Sequence, residues 1–330
     1  MSEQWSEPEV ASLTAKVNDL KLSMGRVIIG QDLVVEHLVI CLLAGGHALV
    51  EGVPGLGKTL LVKSLAQATD MQFRRVQFTP DLMPSDIVGT EILEEDAATR
   101  QRVFRFQQGP VFTQVLLADE INRAPPKTQL ALLEAMQERA VTFAGQTYQL
   151  PKPFFVLATQ NPIEQSGTYP LPEAQLDRFL LRIDVGYPSE DEEVAMVAAT
   201  THAGLRDATQ AMDLATLLRL QLLVRDIEIG EHLLRYATRL VRATRPGDST
   251  VSAIRKHVGW GAGPRAGQAL VLASKARALM HGRLAVTRED IGAMLLPVLA
   301  HRVLRNFEAE ADGVPIADIL QALRSEIKVD

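Results

Sequence analysis

The chain has 330 residues. At roughly 150 residues per domain that is material for about two domains, each able to bury its own core, which excludes a peptide-like or disulfide-stapled scaffold. Apolar residues make up 47% and charged residues 22%, a globular balance, and 34 Lys and Arg against 40 Asp and Glu give a net charge of -6, which supplies no chain-wide attraction to phosphate polymers or anionic lipid.

The opening MSEQWSEPEV lacks the basic and apolar regions of a signal peptide, and the single Cys41 forms no internal disulfide, so the expected compartment is the cytoplasm. Residues 1 to 46 read as mostly helical. Val10, Leu13, Val17 and Leu20 recur at helical spacing, as do Val34, Leu38 and Cys41, with a break from Gly25 to Gly30. Ala48-Leu49-Val50-Glu51 then predicts a strand that runs through glycines into a helix over Thr59 to Ala68. Further strands are expected at Phe73 to Phe78, Val115 to Ala118, Phe154 to Thr159 and Phe179 to Val185, with helices such as Thr128 to Glu138 between them. That alternation predicts an α/β core around a mostly parallel sheet covered on both faces. Two pairs of short runs interrupt it: Thr90 to Leu93 with Arg102 to Phe106, and Ala140 to Phe143 with Thr147 to Leu150. Both read as inserted β-hairpins. Beyond Tyr187-Pro188-Ser189-Glu190 strands disappear and amphipathic helices run to the end, so residues 1–187 read as the α/β core and 188–330 as an all-α domain. Apolar runs such as Leu38 to Ala44 fall far short of the roughly 20 residues of a membrane helix, and no span is expected.

Gly52-Val53-Pro54-Gly55-Leu56-Gly57-Lys58-Thr59 satisfies G-x-x-x-x-G-K-[ST] between a predicted strand and helix, the context that confirms a phosphate-binding loop. Its glycines let the backbone aim several N–H groups at one anion, and the helix that follows adds its positive end. Lys58 then reaches the β- and γ-phosphates, and Thr59 offers a hydroxyl to Mg²⁺. The expected ligands are therefore ATP and Mg²⁺. Val115 to Ala118 ends in Asp119-Glu120, which puts two carboxylates at the carboxyl edge of the sheet beside that loop. Asp119 suits the metal, and Glu120 suits a base that polarises water for attack on the γ-phosphate.

Together with longer strings, these motifs resemble the MoxR family of AAA+ ATPases. The strings are Phe78-Thr79-Pro80-Asp81-Leu82-Met83-Pro84-Ser85-Asp86, the run from Asp119 to Gln129, Ala158-Thr159-Gln160-Asn161-Pro162, the run from Gly167 to Phe179, and Gly261-Ala262-Gly263-Pro264-Arg265-Ala266. The resemblance extends from about Val27 to Ile327, with Gly263 standing where the family commonly has serine. It implies an AAA+ core with a central five-stranded sheet and two hairpins, followed by a helical lid. It also implies that Asn161 is the first sensor, Arg178 the arginine finger offered to a neighbouring subunit, Arg265 the second sensor on the lid, and Val27-Ile28-Ile29-Gly30-Gln31 the segment against adenine. Arg123 reads equally as an interface arginine or a loop ion pair. The implied assembly is a ring, hexameric in form, which remodels or activates a protein client, often alongside a partner with a von Willebrand factor A domain. Two alternatives are a nucleic-acid-translocating motor and a magnesium-chelatase-like ATPase subunit. The motor fits poorly, because the second hairpin tip has no cation and Arg100 and Arg102 of the first are offset by Glu94, Glu95 and Asp96. A scaffold that binds nucleotide without hydrolysis is a third. The histidines include no ligand pair, and Gly282-Arg283 and His301-Arg302 read as solvated helix faces.

Overall fold

A computed structural model of the chain describes residues 5–95, 101–161, 167–201 and 207–329. Helices α1 (Glu7–Gly25) and α2 (Asp32–Leu43) lead into β1 (Ala48–Gly52), α3 (Lys58–Ala68), β2 (Phe73–Gln77) and α4 (Pro84–Val88). Next come the hairpin β3 (Gly89–Glu95) and β4 (Arg102–Gln108), then β5 (Val115–Asp119) and α5 (Pro126–Glu138). A second hairpin, β6 (Ala140–Phe143) and β7 (Gln146–Gln149), precedes β8 (Phe155–Gln160), α6 (Glu173–Leu176) and β9 (Leu181–Val185). Among the described residues β1, β2, β5, β8 and β9 form one five-stranded sheet of order β2-β5-β8-β1-β9, parallel throughout. Asp96 and Arg100, between β3 and β4 in sequence, and Pro162 lie outside the described residues.

Period-two alternation sorts the strand side chains into two cores, one on each face. Leu49, Leu116, Ala118, Val156 and Ala158 pack against α5 and the hairpins, whereas Val50, Val115, Leu117, Phe155 and Leu157 pack with α1, α2 and α3. Phe106 of β4 joins the hairpins by stacking on Phe143 at 4.9 Å between ring centres and meeting Tyr148 at 4.5 Å.

The C-terminal part comprises α7 (Glu190–Thr201), α8 (Leu214–Asp226), α9 (Glu231–Arg242), α10 (Ser252–His257), β10 (Val258–Trp260), α11 (Pro264–Met280), α12 (Arg288–Leu299), β11 (Leu304–Arg305), α13 (Phe307–Ala311) and α14 (Ile316–Glu326). It is helical with one addition the sequence pattern does not announce, the short antiparallel ribbon of β10 and β11. Its core is continuous with that of α1 and α2. No described helix is long and apolar enough to cross a membrane.

The expectation of a solvated face is corrected at His301 and Arg302, while Gly282 is exposed and Arg283 half-exposed. Arg302 is only 7% exposed, donates to the Asp177 carboxylate at 2.7 Å and to the Leu180 carbonyl at 3.1 Å, and also caps the carbonyl of Phe179. His301 is buried with Nε2 3.1 Å from the Phe179 carbonyl, and burial holds its imidazole well below the usual range. Arg283 makes a forked contact with buried Asp290. Burial would raise that carboxyl, but bonds from Arg283, Thr287 and Arg277 outweigh it and bring it to about 2. Helical periodicity marks apolar faces, and buried ion pairs leave no trace in it.

Candidate nucleotide site

In a parallel sheet every strand ends on the same edge, so the loops after β1, β5 and β8 converge there. β8 lies between β5 and β1, which sets Asn161, one residue past β8, between the acidic pair and the phosphate loop. Gly55 (φ +88°) and Gly57 (φ +74°) occupy the left-handed region that glycine tolerates best, and a Cβ at either would meet nothing within 4 Å. This is an open backbone concavity with α3 starting at Lys58. Lys58 Nζ donates to the Gly52 carbonyl; burial lowers its pKa while Asp119, Glu120 and Glu51 oppose that shift, so the ammonium faces a collected negative field. Thr59 is exposed in the first turn of α3.

At the end of β5, Asp119 Oδ1 accepts the Thr159 hydroxyl proton at 2.6 Å, and Oδ2 accepts from Arg75 Nη2 at 2.6 Å. Glu120 turns the chain with φ 57° and ψ 49°, a left-handed conformation uncommon for a residue with a Cβ and concentrated at functional sites. Its N–H donates to Thr159 Oγ1 at 2.8 Å, and its carboxylate accepts from Gln77 at 2.6 Å and faces Arg123 Nε at 3.1 Å. Arg123 thus makes a loop ion pair here. Sequence reasoning missed Arg75, Gln77 and Thr159; the signal for the first two was a polar i, i+2 pair on the strand beside β5.

Ile28 is buried in the core, while Ile29 and Gly30 are half-buried. Gln31 Nε2 donates to the Leu56 carbonyl at 3.4 Å, tying this segment to the phosphate loop. Gly30 has φ +72°, and a Cβ there would lie 2.5 Å from Glu192 Cβ of α7. Two predicted residues stand elsewhere. Arg178 precedes β9, at the amino edge of the sheet, with its Nη1 buried and lacking a hydrogen-bond partner. Arg265 Nη1 lies 3.7 Å from Asp177, beside Arg178, and is half-exposed.

The profile of the "ATPase family associated with various cellular activities (AAA)" matches residues 47–181, and that of the AAA lid domain matches 251–323. The chaperone MoxR1 of Mycobacterium tuberculosis is 44% identical over 92% of this chain and 80% of its own length. The chain belongs to the MoxR family of AAA+ ATPases. Protein MoxR of Paracoccus denitrificans is 32% identical, covering 90% of this chain and 91% of its own. A crystal structure from Cytophaga hutchinsonii, described as that of a candidate ATPase, superposes with a TM-score of 0.91 at 39% identity over 98% of each chain. This MoxR-family protein is an ATP hydrolase that binds nucleotide, with the AAA+ fold of a parallel-sheet core and a helical lid. The motor and chelatase-like alternatives are not favoured by these relatives.

Proposed function

We propose that this MoxR-type ATPase works as a ring, hexameric in form, in which each Mg-ATP is bound by one copy and completed by arginines of the next. Residues Gly52 to Lys58 cradle the phosphates, and Ile29 and Gly30, with Ile28 beneath them, face the base. Thr59 and Asp119 supply the hard oxygen donors that suit Mg²⁺, whose charge would offset that of the phosphates. Glu120 accepts a proton from the attacking water, and Asn161 orients that water. The Glu120 carboxylate leaves Gln77 and Arg123 to do so.

One observation carries the shared site. Arg178 and Arg265 flank Asp177 at the amino edge of β9, whereas their own phosphate loop leaves the carboxyl edge of β1. β1 and β9 pair in parallel over five residues, from Ala48 with Leu181 to Gly52 with Val185, so about 13 Å of strand separates the two edges. Both arginines therefore serve a neighbour's triphosphate. We further propose that the cycle remodels or activates a protein client in the cytoplasm, together with a von Willebrand factor A domain partner, as the family resemblance implies.

Arg178→Ala and Glu120→Gln should each abolish steady-state hydrolysis. Mixed, they should regain activity that peaks near equal amounts, because some sites then pair an intact Glu120 with an intact Arg178. No recovery at any ratio would overturn the shared site.

A further inference from the structure

We propose that α7 of one copy seats in the basic groove between α9 and α11 of the next, forming a head-to-tail contact that holds the ring; this rests on the ring reading above. Helix α7 has no buried residue. Glu190, Asp191, Val194, Val197 and Ala198 follow one another at helical spacing, so its outer face is an acidic first turn leading into an apolar stripe, with Val194 64% and Val197 51% exposed. A single chain has no reason to keep such a helix bare on that side.

The groove has the opposite character. Its volume is about 840 Å³, its floor includes Leu234, Val241, Val271 and Leu272, and its four charged lining residues are Arg225, Arg242, Arg245 and Lys275. Among the described lining residues there is no carboxylate, and Asp226 acts on Lys275 from outside the groove. Lys275 donates to the Arg225 carbonyl at 2.7 Å, and Arg245 donates to the Ala262 carbonyl at 3.1 Å, so the cations are gathered at the two ends. From Pro264 to Lys275 is roughly 17 Å along α11, and the 12 residues of α7 span about 18 Å. Length and polarity agree along the groove, and the acidic first turn of α7 matches the cations at one of its ends.

Their positions agree as well. The groove begins at Pro264, next to Arg265, on the arginine side of the molecule. Helix α7 begins five residues beyond β9, on the nucleotide side, with Glu192 against Gly30. Bringing one copy's Arg178 and Arg265 to a neighbour's phosphates moves its groove toward that neighbour's α7, which is how a heterologous interface repeats around a ring.

The test uses the full chain in Mg-ATP, with assembly followed by sedimentation velocity over a concentration series. Asp191→Lys with Glu193→Lys should raise the concentration needed for assembly by roughly tenfold or more, as should reversing the cations at the end of the groove that receives this turn, either Arg242→Glu with Arg245→Glu or Arg225→Glu with Lys275→Glu, and the chain carrying that reversal together with the α7 changes should recover it. The isosteric Asp191→Asn with Glu193→Gln leaves the helix shape unchanged and should flatten the salt dependence of assembly. Assembly untouched by the α7 reversal or by both groove reversals, or recovered in neither combined chain, would overturn the α7 contact and leave the ring standing. A wild-type chain that stays monomeric would overturn both.

Discussion

The two edges of the central sheet hold their charged groups in different ways. At the carboxyl edge Asp119 and Glu120 are paired with Arg75, Gln77 and Arg123, all solvent-accessible. At the amino edge Asp177 is gripped by Arg302, whose guanidinium is buried and also binds the carbonyls of residues 179 and 180. An exposed pair contributes about 0–1 kcal/mol and exchanges partners readily, whereas removing one member of a buried pair costs several times more. The charged groups at the carboxyl edge are loosely held, and the segment that carries Arg178 is fixed.

The strongest way to break this contrast is Arg302→Met, which removes the 2.7 Å partner of the Asp177 carboxylate and a donor to four carbonyls. We expect a loss of about 3–5 kcal/mol in urea-unfolding free energy; a loss below about 1 kcal/mol would show the amino edge to be no firmer than the other. At the carboxyl edge, Lys58→Ala should leave stability nearly unchanged while weakening ATP affinity by roughly a hundredfold, about 3 kcal/mol, measured by calorimetry. His47 sharpens the comparison through pH. It precedes β1 at the amino edge, its Nδ1 accepts from the Val156 N–H at 3.0 Å, and its Nε2 meets the Met136 carbonyl at 3.3 Å, the pattern of a neutral ring. Burial lowers its pKa from 6.5 to about 4. The unfolded chain therefore binds the extra proton first as pH falls, so the stability from this site is complete above pH 6.5 and is lost progressively down to about pH 4. Relative to pH 8, about 2 kcal/mol from His47 should be gone at pH 5, and His47→Gln should reduce the loss between the two pH values by that amount, leaving the share of buried His301. The smallest expected effect is Arg75→Ala. Freed from its screened partner, Asp119 should require several-fold less Mg²⁺ for half-maximal hydrolysis; an unchanged requirement would mean that Arg75 does not compete there.

Much of this was legible in the sequence. The five strands, both hairpins and the phosphate loop carry local signatures: continuous apolar runs, polar turns and fixed glycine spacing. Strand ends were displaced by one or two residues, as at β9, because Phe179 and Leu180 are as apolar as the strand they precede. What periodicity does not encode is pairing between distant residues. Arg302 and Asp177 are 125 positions apart, and Thr159 reaches Asp119 across 40. The ribbon of β10 and β11 escaped notice because strands of three and two residues are too short for alternation to register.

The aromatic hub at Phe106 has a mechanical corollary. β3 emerges from α4, which follows Phe78 and the strand carrying Arg75 and Gln77, while β6 emerges from α5, which follows Glu120 and Arg123. Clasping the ribbons through one ring makes them a single lever with two roots, one on each side of the acidic pair. A displacement of either ribbon is thereby divided between the segments that carry Asp119 and Glu120 and those that pair with them.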